Sequence, residues 1–86
     1  MKAIFEAILQ SRSGTIIGYL AEDAIPLASG ADKAALIRIR DEYSLDEIWA
    51  IAAESLGDTA KAAELRANRA ALLILRKLRG FDALEA

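Results

Sequence analysis

Apolar residues along the chain recur at helical spacing, in five stretches separated by turn signals. In the first, Ile4, Phe5, Ile8 and Leu9 follow the i, i+1, i+4, i+5 pattern of one helix face, which predicts a helix over 2–10. Ser11-Arg12-Ser13-Gly14 interrupts it with turn-forming residues. Ile16, Ile17, Leu20 and Ala24 define a second helix over 15–24, weakened inside by Gly18. Pro26 ends it, because the residue before a proline is pushed away from the α region. A competing reading pairs 3–9 with 15–20 as a β-hairpin within residues 3–20. Neither run alternates strictly, as a half-buried strand would.

The third stretch places Leu36, Ile39 and Tyr43 at i, i+3, i+7 and predicts a helix over 30–43, with Ser29 as its N-cap and Asp32 near the first-turn amides. Local alternation at residues 36–40 is the competing strand signal. The fourth, over 45–56, carries the sharpest local signature. Ser44-Leu45-Asp46-Glu47 reads as a capping box: the serine hydroxyl accepts from the Glu47 amide, and the Glu47 carboxylate returns to the Ser44 amide. Tyr43 and Ile48 stand at the positions of a hydrophobic staple. Ile48, Ile51, Ala52 and Leu56 form the inward stripe, and Trp49 lies on its flank. Gly57 stands where a helix end calls for a left-handed residue. Asp58 then caps the fifth and longest helix, 59–79, and residues 81–86 follow as a short tail. The expected fold is an all-α bundle of four to five helices in one domain spanning 1–86.

Composition strengthens that expectation. The 86 residues include 19 Ala, 12 Leu and 10 Ile but no Val and only two Thr. Ala and Leu lead the helix propensities, whereas strands favour Val, Thr and aromatics. Cysteine and histidine are both absent. This excludes disulfides, zinc sites built on thiolate or imidazole, and Ser–His or Cys–His catalysis. No phosphate-binding loop or calcium loop is present in the sequence. The expectation is a non-enzymatic protein with no cofactor, no metal and no small-molecule substrate. Met1–Phe5 leads into Glu6 rather than a signal-like apolar run, and the longest apolar run is Ala70–Leu75. A cytoplasmic protein with no membrane partner is expected.

Charge divides the chain. Residues 1–57 carry 5 basic and 9 acidic groups, whereas 58–80 carry 6 basic and 2 acidic groups. On the last helix Arg66, Arg69, Leu73, Arg76 and Lys77 fall within one arc of about 100°. Ala60, Ala63, Ala67, Ala70, Ala71, Ile74 and Leu78 stand opposite and predict a small-residue packing face. The basic arc is then the outer, candidate partner surface. Asp41, Glu42, Asp46 and Glu47 form a candidate acidic surface at the junction of the third and fourth helices, so self-association through unlike charges is one expectation. The leading functional expectation is a protein-interaction module, homo-oligomeric or an adaptor or inhibitor, working through helix 59–79.

The alternative is a DNA-binding regulator using the basic face of that helix. Gly57-Asp58-Thr59-Ala60-Lys61-Ala62-Ala63-Glu64-Leu65 is similar to the first helix of the factor-for-inversion-stimulation type of helix-turn-helix. Asn68-Arg69-Ala70-Ala71-Leu72 resembles the start of that family's recognition helix, the likeness covering about 20 of 86 residues. It departs at the turn, where Arg66-Ala67 is one residue short. It departs again at Leu72-Leu73-Ile74-Leu75, which stands where polar groups would meet base edges. A continuous helix accounts for the same residues more simply.

Overall fold

The computed structural model describes residues 1–78 and is all-α. The helices are α1 (Lys2–Gln10), α2 (Gly14–Ala24), α3 (Gly30–Asp41), α4 (Leu45–Ser55) and α5 (Thr59–Leu78), with one 3-10 turn at Ile25–Leu27. Residues 3–20 form two helices and the corner between them, so the hairpin reading is not what the chain adopts. Ser13 supplies the physical reason: its hydroxyl accepts from the Ile16 amide and starts α2 where a hairpin would continue its turn. The predicted Arg79 end of α5 and the tail at 81–86 lie outside the described residues.

The main core forms between α1, α2, α3 and α4. Phe5 and Ile8 enter from α1, Ile17 and Ala21 from α2, Leu36 and Ile39 from α3, and Ile48, Ile51 and Ala52 from α4. Apart from Ala21, these positions belong to the apolar stripes of the sequence, and two members of those stripes stay outside the core. Ile16 is largely exposed, and the Tyr43 side chain is 100% exposed. The helix expected over 30–43 stops at Asp41, because Glu42 turns extended and its carboxylate accepts from the amides of Tyr43 and Ser44. That turn aims Tyr43 away from Ile48, so the expected hydrophobic staple does not form. Ser29 occupies the N-cap of α3 without a side-chain cap bond.

Only half of the capping box forms. Ser44 Oγ accepts from the Glu47 amide at 3.4 Å, as expected. The Ser44 amide, however, is taken by Glu42 Oε1 at 3.1 Å. Glu47 is drawn instead to arginines of other helices.

A three-residue turn joins α4 to α5. The Asp58 amide donates to the Ala53 carbonyl and the Gly57 amide to the Glu54 carbonyl, both at 2.9 Å. These two bonds are a Schellman ending, and Gly57 adopts φ +83°, a conformation that a side chain would strain. Asp58 then accepts from the Lys61 amide at 3.0 Å and opens α5. The chain reverses, and α5 packs antiparallel on α4.

That packing makes a second, thinner core of Ala50, Ala53, Ala62 and Leu65, edged by Leu9 and Trp49. Small side chains let the two backbones approach closely. Trp49 is tied across the molecule, its indole Nε1 donating to the Ser11 carbonyl at 3.0 Å. The sequence expectation for the buried face of α5 is overturned. Ala60, Ala63, Ala67, Ala70 and Ala71 are exposed, while Ala62 and Leu65 are buried. The expected face holds more alanines, but it has no counterpart on α4. Ala50 and Ala53 offer a seat only to Ala62 and Leu65.

Candidate functional site

Because α5 turns its Ala62–Leu65 side to α4, the basic arc lies on the same side of the helix as the packing seam. Arg66 follows Leu65 there and is half-buried against α4. Its guanidinium donates to Glu47 through Nε at 3.1 Å and through a terminal nitrogen at 3.0 Å, and it also pairs with Glu54. Arg38 of α3 approaches Glu47 at 3.9 Å. Glu47 is thus the point where α3, α4 and α5 meet electrostatically.

The hydrogen bonds from Arg66 hold the Glu47 carboxyl below its ordinary range, against partial burial that pushes it up, and the charges of Arg66, Arg38 and Arg69 act in the same downward sense. Arg66 is correspondingly held more firmly protonated, chiefly by Glu47. A carboxyl lowered in the folded state stabilises fully above its unfolded value near 4.5, and that stabilisation is lost as pH falls through the lower folded value. Thermal unfolding followed by circular dichroism should therefore show the melting temperature dropping below about pH 4.5. Glu47→Gln should flatten that part of the profile and lower the neutral-pH stability by about 1 kcal/mol, as suits a partly exposed pair. An unchanged acid limb in Glu47→Gln would contradict the assignment.

Beyond this clamp α5 packs against no other element among the described residues. At 1.5 Å per residue the 11 residues of α4 span about 16 Å and the 20 residues of α5 about 30 Å, so the last third of α5 overhangs. This accounts for a long axis of 44 Å against 26 and 20 Å across. On the overhang Leu72, Leu73, Ile74, Leu75 and Leu78 are all exposed, Leu78 to 77%. Arg69 and Leu73 border a notch with Ala70 where the overhang leaves α4, and Lys77 is exposed near its end. Of the five predicted surface residues, four are therefore placed. Arg66 is committed to the clamp, Arg69, Leu73 and Lys77 are exposed, and the Arg76 side chain lies outside the described residues.

The four acidic residues differ in what they contact. Glu47 is in the clamp, Asp41 pairs with its neighbour Arg40 at 3.0 Å, and Glu42 caps backbone amides. Asp46 makes no ion pair among the described residues. The sequence marks Leu72, Leu73 and Ile74 as apolar residues in excess of what one small core needs, and the structure adds Leu75 and Leu78 to the exposed cluster at the end of α5. The run Ala70–Leu75 is the sequence signal that carries it.

Nor does α5 bend at Arg66–Ala67, so the two-helix division implied by the helix-turn-helix likeness is absent there. Among the described residues no group of three or more carboxylates is placed to hold a metal ion, and no helix is long and apolar enough to cross a membrane. Compared with protein-family models, curated proteins and solved structures, the chain matches none.

Proposed function

We propose that this chain is a helical protein-interaction module that self-associates through the overhanging end of α5. One observation carries the reading: five large apolar side chains are exposed within seven residues, on a helix end that nothing in the described chain covers. Contiguous apolar patches of this kind mark interfaces, whereas single exposed apolar residues such as Leu27 are ordinary. Full burial of one such side chain stabilises by about 1.5–3 kcal/mol, so even partial cover of five favours association.

A duplex-binding role is less well supported. Arg66 is engaged by two carboxylates, and the cations that remain on the overhang share it with those five apolar groups. Ile74→Glu should shift the sedimenting species towards monomer by at least about tenfold in Kd, with the helical circular dichroism unchanged. A wild-type protein that stays monomeric at several hundred micromolar overturns the reading. A salt-sensitive shift of duplex DNA would favour the nucleic-acid alternative.

A further inference from the structure

The side of α5 turned away from α4 is exposed from Ala60 to Leu78. On it Ala60, Ala63, Ala67, Ala70 and Ile74 recur three and four residues apart, the heptad spacing of a seam between two helices, and Leu78 follows on the same side. Two properties change along this face in the same direction. Side chains are small from Ala60 to Ala70 and large at Ile74 and Leu78. Charge changes with them. Arg66 and Glu54 form an ion pair, which leaves the first half of the helix and its cap with Asp58 and Glu64 against Lys61. The second half holds Arg69 and Lys77, and no carboxylate occurs from residue 65 to residue 78. A face graded in this way is the complement of itself reversed: small positions meet large ones, and the anionic half meets the cationic half.

We propose that two copies pair antiparallel along this face of α5, over the length of the helix rather than by their overhangs alone. The inference rests on the self-association reading and fixes the surface and the orientation of the pair. In a parallel pair each heptad position faces its own copy, so Lys77 would stand beside the partner's Lys77, and alanines would meet only alanines. Overlap of the two overhangs alone would likewise gather the cations of both chains, along about 10 Å of helix instead of about 30 Å. The antiparallel pair sets Ile74 over the partner's Ala63 and Ala67 over the partner's Ala70. It brings Lys77 to the end of the partner helix that Asp58 caps. Large groups opposite alanines interdigitate, and alanine lets the backbones approach, as Ala50, Ala53 and Ala62 do in the antiparallel seam between α4 and α5. A twofold axis through the middle of the face closes the assembly at two chains.

Ala67→Glu tests the face away from the overhang. Ala67 is exposed in the single chain and stands near the proposed twofold axis, so the variant should keep its circular dichroism. Sedimentation should show self-association weakened at least about tenfold, because each pair would bury two carboxylates without partners. An Ala67→Glu protein that associates as well as wild type overturns the face. If Ile74→Glu still dissociates beside it, self-association through the helix ends stands. Wild-type protein that remains monomeric overturns both readings. The absence of native cysteine permits a test of orientation. Ala63→Cys and Ile74→Cys proteins, mixed and oxidised, should form the mixed disulfide in excess of random pairing. A share at or below random pairing, with each variant joined to its own kind, overturns the antiparallel arrangement.

Discussion

Phe5→Ala should cost about 3–5 kcal/mol and bring the protein close to unfolding at room temperature. Phe5 is 1% exposed and is among the largest side chains in the main core, lying with Ile8, Ile17, Leu36 and Ile39. Removing its ring leaves a cavity that the flanking isoleucines, stiff at χ1, fill poorly. Domains of this size have about 4–13 kcal/mol in total, so the loss is a large fraction of it. Urea unfolding followed by circular dichroism should show a much lower midpoint with a similar slope. A midpoint within a few tenths molar of wild type would mean that α1 contributes little to the core.

Ala53→Leu should act differently. Ala53 is fully buried at the seam between α4 and α5, and its neighbours there are Ala50, Ala62 and Leu65. Adding three carbons where two backbones approach closely forces α5 outward, at about 1–3 kcal/mol. The main core does not use Ala53, so α1 to α4 should stay packed while α5 separates about Gly57. Trp49 edges that seam and reports on it. Its fluorescence should change at lower denaturant than the bulk circular dichroism, giving two transitions where wild type gives one. A single coincident transition would show that the two cores unfold as one. Together the two substitutions separate what holds the bundle from what holds its arm.

The helices were legible in the sequence because each is announced twice, by an apolar stripe and by its ends. Ile4, Phe5 and Ile8 mark α1, and Ser44 and Gly57 bracket α4 within a residue of where it lies. What failed was choice among partners. Glu47 had the spacing of a capping box, but its carboxylate goes to a guanidinium on another helix in preference to a backbone amide that Glu42 already holds. Tyr43 had the spacing of a staple, and the extended Glu42 turned it out.

The face of α5 was misread for a related reason. In an alanine-rich helix many faces are apolar, and the one that packs is selected by the contour of its neighbour. Ala50 and Ala53 select Ala62 and Leu65, a choice that no periodicity within α5 contains. The candidate site followed from the same fact. Its residues Arg69, Leu73 and Lys77 stood in the sequence, but their availability depends on where α4 begins.

The turn at Leu56–Asp58 also sets an order of events. Asp58 ends the Schellman motif of one helix and caps the next, so three residues of chain bring α4 and α5 together with almost no loop to close. The bond from Trp49 to Ser11, by contrast, joins residues 38 apart. Contacts near in sequence form before distant ones, so the α4–α5 hairpin should assemble on the fast side of the folding barrier and the docking of α1 should come late. Substitutions at the alanine seam would then slow folding, whereas loss of the Phe5 ring would mainly hasten unfolding.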